Sequence, residues 1–192
     1  MRLLLSLLLF AGFVSGAEEY TWWVEPCPLA TARSTSCEAG DPELARWALE
    51  AWQRESGGAV KLKKSDTEDH ARLRLHWANG NSGLYGETEP IFVEGKRGAN
   101  IYVLPSVAPG ADQLLRDAIV YLTCLHESGH AFGLPHTRNF ADIMYSFQYG
   151  GDISAYFGRY RDLLKTRVDI AAHSGISDAD RVAFRAALVQ AF

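Results

Sequence analysis

The sequence predicts an α+β fold, and three observations carry that prediction. Five short stretches either alternate apolar with polar residues or concentrate β-branched and aromatic ones, as strands do. Two stretches, beginning at Asp41 and near Ser177, repeat apolar residues at helical spacing behind a helix-start signal. Between them lies His126-Glu127-Ser128-Gly129-His130, followed by Gly133 and His136. Residues four apart share one face of an α-helix about 6 Å apart along its axis, so His126 and His130 can address one metal ion.

Taken in order, the chain opens on a leader. Arg2 is a positive start, Leu3 to Phe10 is an apolar run broken only by Ser6, and Ser15-Gly16-Ala17 offers small residues for cleavage. Residues 1–17 are therefore expected to be a signal peptide, and 18–192 one domain of about 175 residues, enough for a substantial core. The apolar run falls short of the roughly 20 residues that span a bilayer, so no stable membrane anchor is expected; retention of the run as an anchor is the alternative. The expected location is extracytoplasmic, secreted or periplasmic.

Loss of residues 1–17 removes Arg2 and moves the formal net charge from −4 to −5. That mild acidity argues against nucleic acid, which calls for a basic stripe, and against anionic membrane surfaces. In an exported chain Cys27 and Cys37 are candidates for a disulfide across a short loop. The alternatives are two free thiols, or a thiolate that blocks a metal site. Cys124 lies two residues before His126, faces away from it, and is expected to be a buried apolar residue.

Thr21 to Val24 reads as the first strand. Asp41-Pro42-Glu43 starts a helix that runs to about Glu55, with Asp41 as its cap and Leu44, Trp47, Ala48, Ala51 and Trp52 as its apolar stripe. Val60 to Lys63, Ala71 to Trp77, Pro90 to Glu94 and Asn100 to Leu104 read as further strands. In Ala71 to Trp77, Arg72, Arg74 and His76 share a face expected to be solvated. Asn79 to Gly86 is a loop and Gly95 to Gly98 a turn. Pro109 to Asp112 leads into the helix that carries His126, along which Leu115, Ile119 and Leu122 continue the same stripe. Tyr156 to Arg167 shows no clear period. Ser177 to Asp180 caps a final helix whose apolar residues are Val182, Ala183, Ala186, Leu188 and Val189. His173 lies outside any motif.

The chemistry concentrates in residues 126–136. Gly133 lacks a Cβ and can take the positive φ that turns the chain back after a helix, which brings His136 round as a third ligand. Three neutral imidazoles and one open position make a catalytic zinc site. Glu127 is placed beside the ligands as a general base rather than as a ligand.

His126-Glu-x-x-His130-x-x-Gly133-x-x-His136, with Met144 downstream in Asp142-Ile143-Met144-Tyr145, resembles the metzincin metallopeptidases. Gly133-Leu134-Pro135-His136-Thr137 and Ile143-Met144-Tyr145 are most similar to the matrixin branch. Astacins share the core motif, but they usually carry Glu after the third His and Tyr two residues beyond the Met, where this chain has Thr137 and Ser146. The specific likeness covers roughly Asp112 to Tyr145, and a looser one the rest of the chain from residue 18. The resemblance implies a zincin fold: a twisted, mostly parallel sheet with an antiparallel edge strand within Leu84 to Val93, an active-site helix and a C-terminal helix. It implies one catalytic zinc, with Met144 forming a turn that floors the site without ligating the metal. It also implies that Tyr145, Ser146, Phe147 and Gln148 wall a substrate pocket. Calcium stays open. The spacing of matrixin structural metal sites is missing around His70 and His76, and no such site is expected there.

The expected activity is that of an exported zinc-dependent endopeptidase, a monomer acting on peptide or protein substrates. Two alternatives stay in play: a zinc-binding interaction module without turnover, and a processing protease with one particular partner. Glu127 speaks against the first, since a mere binder has no need of a base there.

Overall fold

A computed structural model describes residues 16–27, 35–79, 85–105 and 112–190. The expected leader thus lies outside the described residues, apart from Gly16 and Ala17. Strand β1 (Glu18–Val24) is followed by helix α1 (Asp41–Glu55), then β2 (Val60–Lys64), β3 (Leu73–Trp77), β4 (Gly86–Val93) and β5 (Lys96–Val103). Helix α2 (Gln113–Ala131), a 3-10 turn (Phe147–Tyr149), α3 (Ile153–Arg161), α4 (Asp169–Ala172) and α5 (Asp178–Gln190) follow among the described residues. The sheet order is β2-β1-β3-β5-β4. All neighbours are parallel except β4, which pairs antiparallel with β5 and forms one edge. The fold is therefore α+β, with a mostly parallel five-stranded sheet and an antiparallel edge strand.

Helices α1 and α2 cover one sheet face. Tyr20, Leu73, Leu75, Ala99, Ile101 and Val103 are buried against them. Trp52 of α1 is fully buried, and its indole N–H donates to the Leu125 carbonyl at 2.9 Å, fixing α1 against the helix that carries the histidines. The five apolar residues expected along α1 are all buried.

Several local expectations are corrected. Gly40, not Asp41, is the N-cap of α1. The Asp41 carboxylate is buried and accepts from the Arg116 guanidinium at 2.7 and 2.8 Å and from the Glu38 N–H at 2.8 Å. The Arg72–His76 face is not simply solvated. Arg72 is buried, pairs with Glu18 at 2.5 Å and lies 4.0 Å from the centre of the Tyr20 ring, while His76 stacks on Tyr102. Lys96, Arg97 and Gly98 belong to β5 rather than to a turn, and the turn is made by Gly95 with Glu94, which leaves the expected Pro90–Glu94 strand. Tyr156 to Arg161, the first part of the Tyr156–Arg167 stretch without a clear period, belong to α3, which Asp152 caps by accepting the Ala155 N–H at 3.0 Å. Helix α5 is rotated from its expected phase: Asp180, Phe184 and Leu188 face inward, while Val182 and Val189 are exposed. The aromatic volume of Phe184, packed on Trp52 and Phe132, outweighs two valines.

Pro90 sits inside β4 without breaking the sheet. It lies opposite Ala99, whose N–H donates away to Arg72 of the adjoining 71–77 segment at 2.7 Å. This is therefore a pair without mutual hydrogen bonds, and the donor that proline lacks falls on the free edge.

Candidate metal centre

Helix α2 is opened by Asp112, whose carboxylate accepts the Leu115 N–H at 3.2 Å, and its last turns carry His126, Glu127 and His130. Gly133 has φ +96°, where a side chain would be strained. The reversal there lets Leu134 donate its N–H to Gly129 at 3.0 Å and turn its carbonyl towards His130. His136 follows and faces both helical histidines.

The three imidazoles meet through Nε2. His136 Nε2 lies 3.2 Å from His126 Nε2 and 3.0 Å from His130 Nε2. The far nitrogens settle the tautomers of the two helical rings. His126 Nδ1 is 2.6 Å from the Ile143 carbonyl and His130 Nδ1 is 2.8 Å from the Leu134 carbonyl. A carbonyl only accepts, so both Nδ1 atoms carry the proton and both Nε2 atoms present lone pairs. Burial depresses the basicity of all three rings, to about 4 for His126. Lone pairs gathered this closely on rings that resist protonation call for a cation. Ligands of a tetrahedral zinc at about 2.0–2.1 Å would stand roughly 3.3 Å apart, close to the spacing found. The group fits a divalent metal; imidazole by itself suits zinc, copper, iron and nickel.

Cys27, Cys37 and Asp41 also bring donor atoms within 4.8 Å of one another. They could hold a metal only with the sulfurs free. Here Cys27 and Cys37 form a disulfide, and Arg116 occupies the Asp41 carboxylate. The disulfide is compatible with an extracytoplasmic protein. Among the described residues no helix is long and apolar enough to cross a membrane. Cys124 is buried, as its position relative to His126 implies.

Glu127 is buried between α2 and β4. The Thr88 hydroxyl lies 2.7 Å from its Oε2 and 3.0 Å from its backbone carbonyl. Burial raises its pKa to about 7, against the lowering effect of the Thr88 hydrogen bond. Gly86 supplies the space: a Cβ there would stand 2.6 Å from Glu127 Cγ.

Met144 lies beneath the helix, fully buried, with its sulfur against Gly129, where a Cβ would approach it to 2.4 Å. The turn around it is held from α5. The buried Asp180 carboxylate accepts the Ile143 N–H at 2.7 Å and the Met144 N–H at 3.3 Å. It also closes a capping box with Ser177, through N–H bonds of 3.0 Å in each direction. The Tyr156 hydroxyl donates to the Asp142 carbonyl at 2.9 Å, from the α3 side.

A cleft of about 730 Å³ runs between β4 and α2. His126, Glu127, His130 and His136 line it, and so do Tyr145, Ser146, Phe147 and Gln148. The expected ligands, the expected base and the expected pocket residues thus all line one cavity, with Met144 beneath the helix and the Cys27–Cys37 bridge outside it. The sequence reading missed Gly86, Thr88, Tyr156 and the wider role of Asp180. Ser177-x-x-Asp180 signals a helix cap, but nothing in it points to residues 143 and 144, more than thirty positions away. Comparison with known proteins finds no family model that matches the chain and no matching curated protein.

Proposed function

We propose that this chain is an exported zinc-dependent endopeptidase of metzincin type, resembling the matrixins. The observation that carries the reading is the convergence of three Nε2 atoms, separated by 3.0 and 3.2 Å from His136 to the two helical rings, beside a buried carboxylate, in one open cleft. His126, His130 and His136 would hold the ion. Zinc bound there would polarise a scissile carbonyl and activate a water. Glu127 is the general base: it accepts the water proton and passes it to the leaving amine. Its burial favours uptake of the proton relative to an exposed carboxylate. Thr88 holds the carboxylate in place and leaves its second oxygen for the proton. Met144 and its turn support the ligands from below, and residues 145–148 form one wall for the substrate.

The test is metal content together with hydrolysis of a fluorogenic peptide library. Wild type is expected to carry about one zinc per chain and to cleave. Glu127→Gln is expected to keep the zinc and lose about 10²–10⁴-fold in turnover, and His130→Ala to lose both. Zinc binding with no cleavage of any peptide would turn the reading into that of a binding module. Absence of zinc from wild type would remove its foundation.

A further inference from the structure

The two ends of the cleft differ. At one end Tyr85, Leu122, Phe147 and Phe157 give an aromatic and apolar lining. At the other, beyond His130 and Ala131, the lining passes to Pro90, Gly98 and Arg97. Arg97 is the only arginine or lysine of that lining among the described residues. It shares the face of β5 on which Ala99 and Ile101 meet the helices, so its side chain reaches towards the end of α2. The guanidinium stands over Gly133, where a Cβ would lie 3.6 Å from its nearer terminal nitrogen.

Arg97 is exposed, and its guanidinium has no hydrogen-bond or carboxylate partner among the described residues. Its contact across the sheet uses the backbone carbonyl, which accepts from Arg72 Nε at 2.9 Å. The two acidic side chains of the lining are engaged or placed elsewhere: Glu127 is held by Thr88, and Glu87 lies across from Tyr102 towards the start of β4. The free edge of β4 sharpens the contrast. Gly86 and Thr88 can offer both N–H and C=O to an extended peptide, whereas Pro90 offers only C=O. Next to Arg97, main-chain pairing runs short and side-chain chemistry has to select.

We propose that Arg97 is a specificity-determining residue of this cleft, selecting peptides that carry Asp or Glu at the position lying over the end of α2. The proposal rests on the cleft being a peptide-binding one. A free guanidinium forms a forked pair with a carboxylate that a primary amide cannot reproduce. The pair is solvent-exposed, so the preference is modest and fades with salt.

The experiment uses one parent peptide in which each position flanking the cleavage site is set in turn to Glu, Gln or Lys. At one position Glu is expected to exceed Gln by about twofold to fivefold in kcat/KM at low ionic strength, mostly through KM. The advantage shrinks at high salt, is abolished in Arg97→Gln, and turns into a preference for Lys in Arg97→Glu. The same peptides are titrated by fluorescence anisotropy onto zinc-loaded Glu127→Gln protein, with and without the Arg97 changes. Here the ratio of Kd values replaces the ratio of rates. If nothing is cleaved but the Glu peptide still binds more tightly through Arg97, the peptidase reading fails and the assignment of Arg97 stands. If no position prefers Glu, or if the preference survives Arg97→Gln, the assignment of Arg97 is overturned whatever becomes of the peptidase.

Discussion

Asp180 and His126 are joined through a single residue. The Asp180 carboxylate accepts the Ile143 N–H at 2.7 Å, and the Ile143 carbonyl stands 2.6 Å from His126 Nδ1. A carboxylate on the last helix thereby fixes the ring orientation of a candidate metal ligand on another helix. Asp180→Ala leaves two buried N–H groups unpaired and is expected to destabilise the protein by about 1–3 kcal/mol. The loss of ligand support should weaken metal binding about tenfold or more. Urea melts and metal titrations check both, and Asp180→Asn should recover part of each. Unchanged metal affinity in a folded Asp180→Ala protein would disconnect α5 from the site.

Two glycines predict different failures. A Cβ on Gly86 meets the flexible Glu127 side chain, so Gly86→Ala should fold, bind metal and lose activity as the carboxylate is displaced. A Cβ on Gly129 meets Met144 Sδ and, at 3.1 Å, Trp52 in the closed core. Gly129→Ala should instead cost about 1–3 kcal/mol in stability. Thermal melts and peptide hydrolysis measured side by side separate the two.

The Cys27–Cys37 bridge spans ten positions and ties the 16–27 segment to the residues that contact Arg116. Replacing both cysteines by serine is expected to cost roughly 2–3 kcal/mol by the chain-entropy account. Chemical denaturation with and without reductant should show the same difference in wild type and none in the double variant.

Burial raises the phenol pKa of Tyr121, Tyr156 and Tyr160 well above the ordinary range. A group held protonated in the fold contributes stability that is present below its unfolded pKa, about 10, and is lost as the pH rises beyond it. Alkaline unfolding should therefore begin above about pH 10. Phenolate absorbance should show these three of the eight tyrosines ionising together with the loss of structure, not before it.

The sequence carries those features of the fold and the site whose signals are local. The histidine spacing, the Gly133 turn, the extent of α1 and its buried stripe all follow from residues a few positions apart, where helix geometry sets the answer. The edge strand could be placed but not its length, because Gly86 and Thr88 join β4 through pairing with β5 and packing on Glu127. Helix α3 has no apolar period to read, because its buried residues are aromatics placed by distant partners: Tyr156 packs on Phe140, Tyr145 and Phe147, Phe157 on Tyr85, and Tyr160 on Tyr121. The inward face of α5 begins with a charged residue, Asp180, and coincides with the expected apolar residues only at Leu188. The acidity of Asp180 is matched by N–H groups from a distant turn, and no periodicity of apolar residues can express that.

Pro90 has a consequence away from chemistry. An edge strand with a full row of unpaired donors and acceptors is a template on which a second copy can zip its own edge. With its nitrogen blocked midway along the exposed side of β4, the row is interrupted where a fibril-forming neighbour would need it continuous. The proline thus lets the chain keep an open edge beside its cleft while discouraging copies of itself from stacking there.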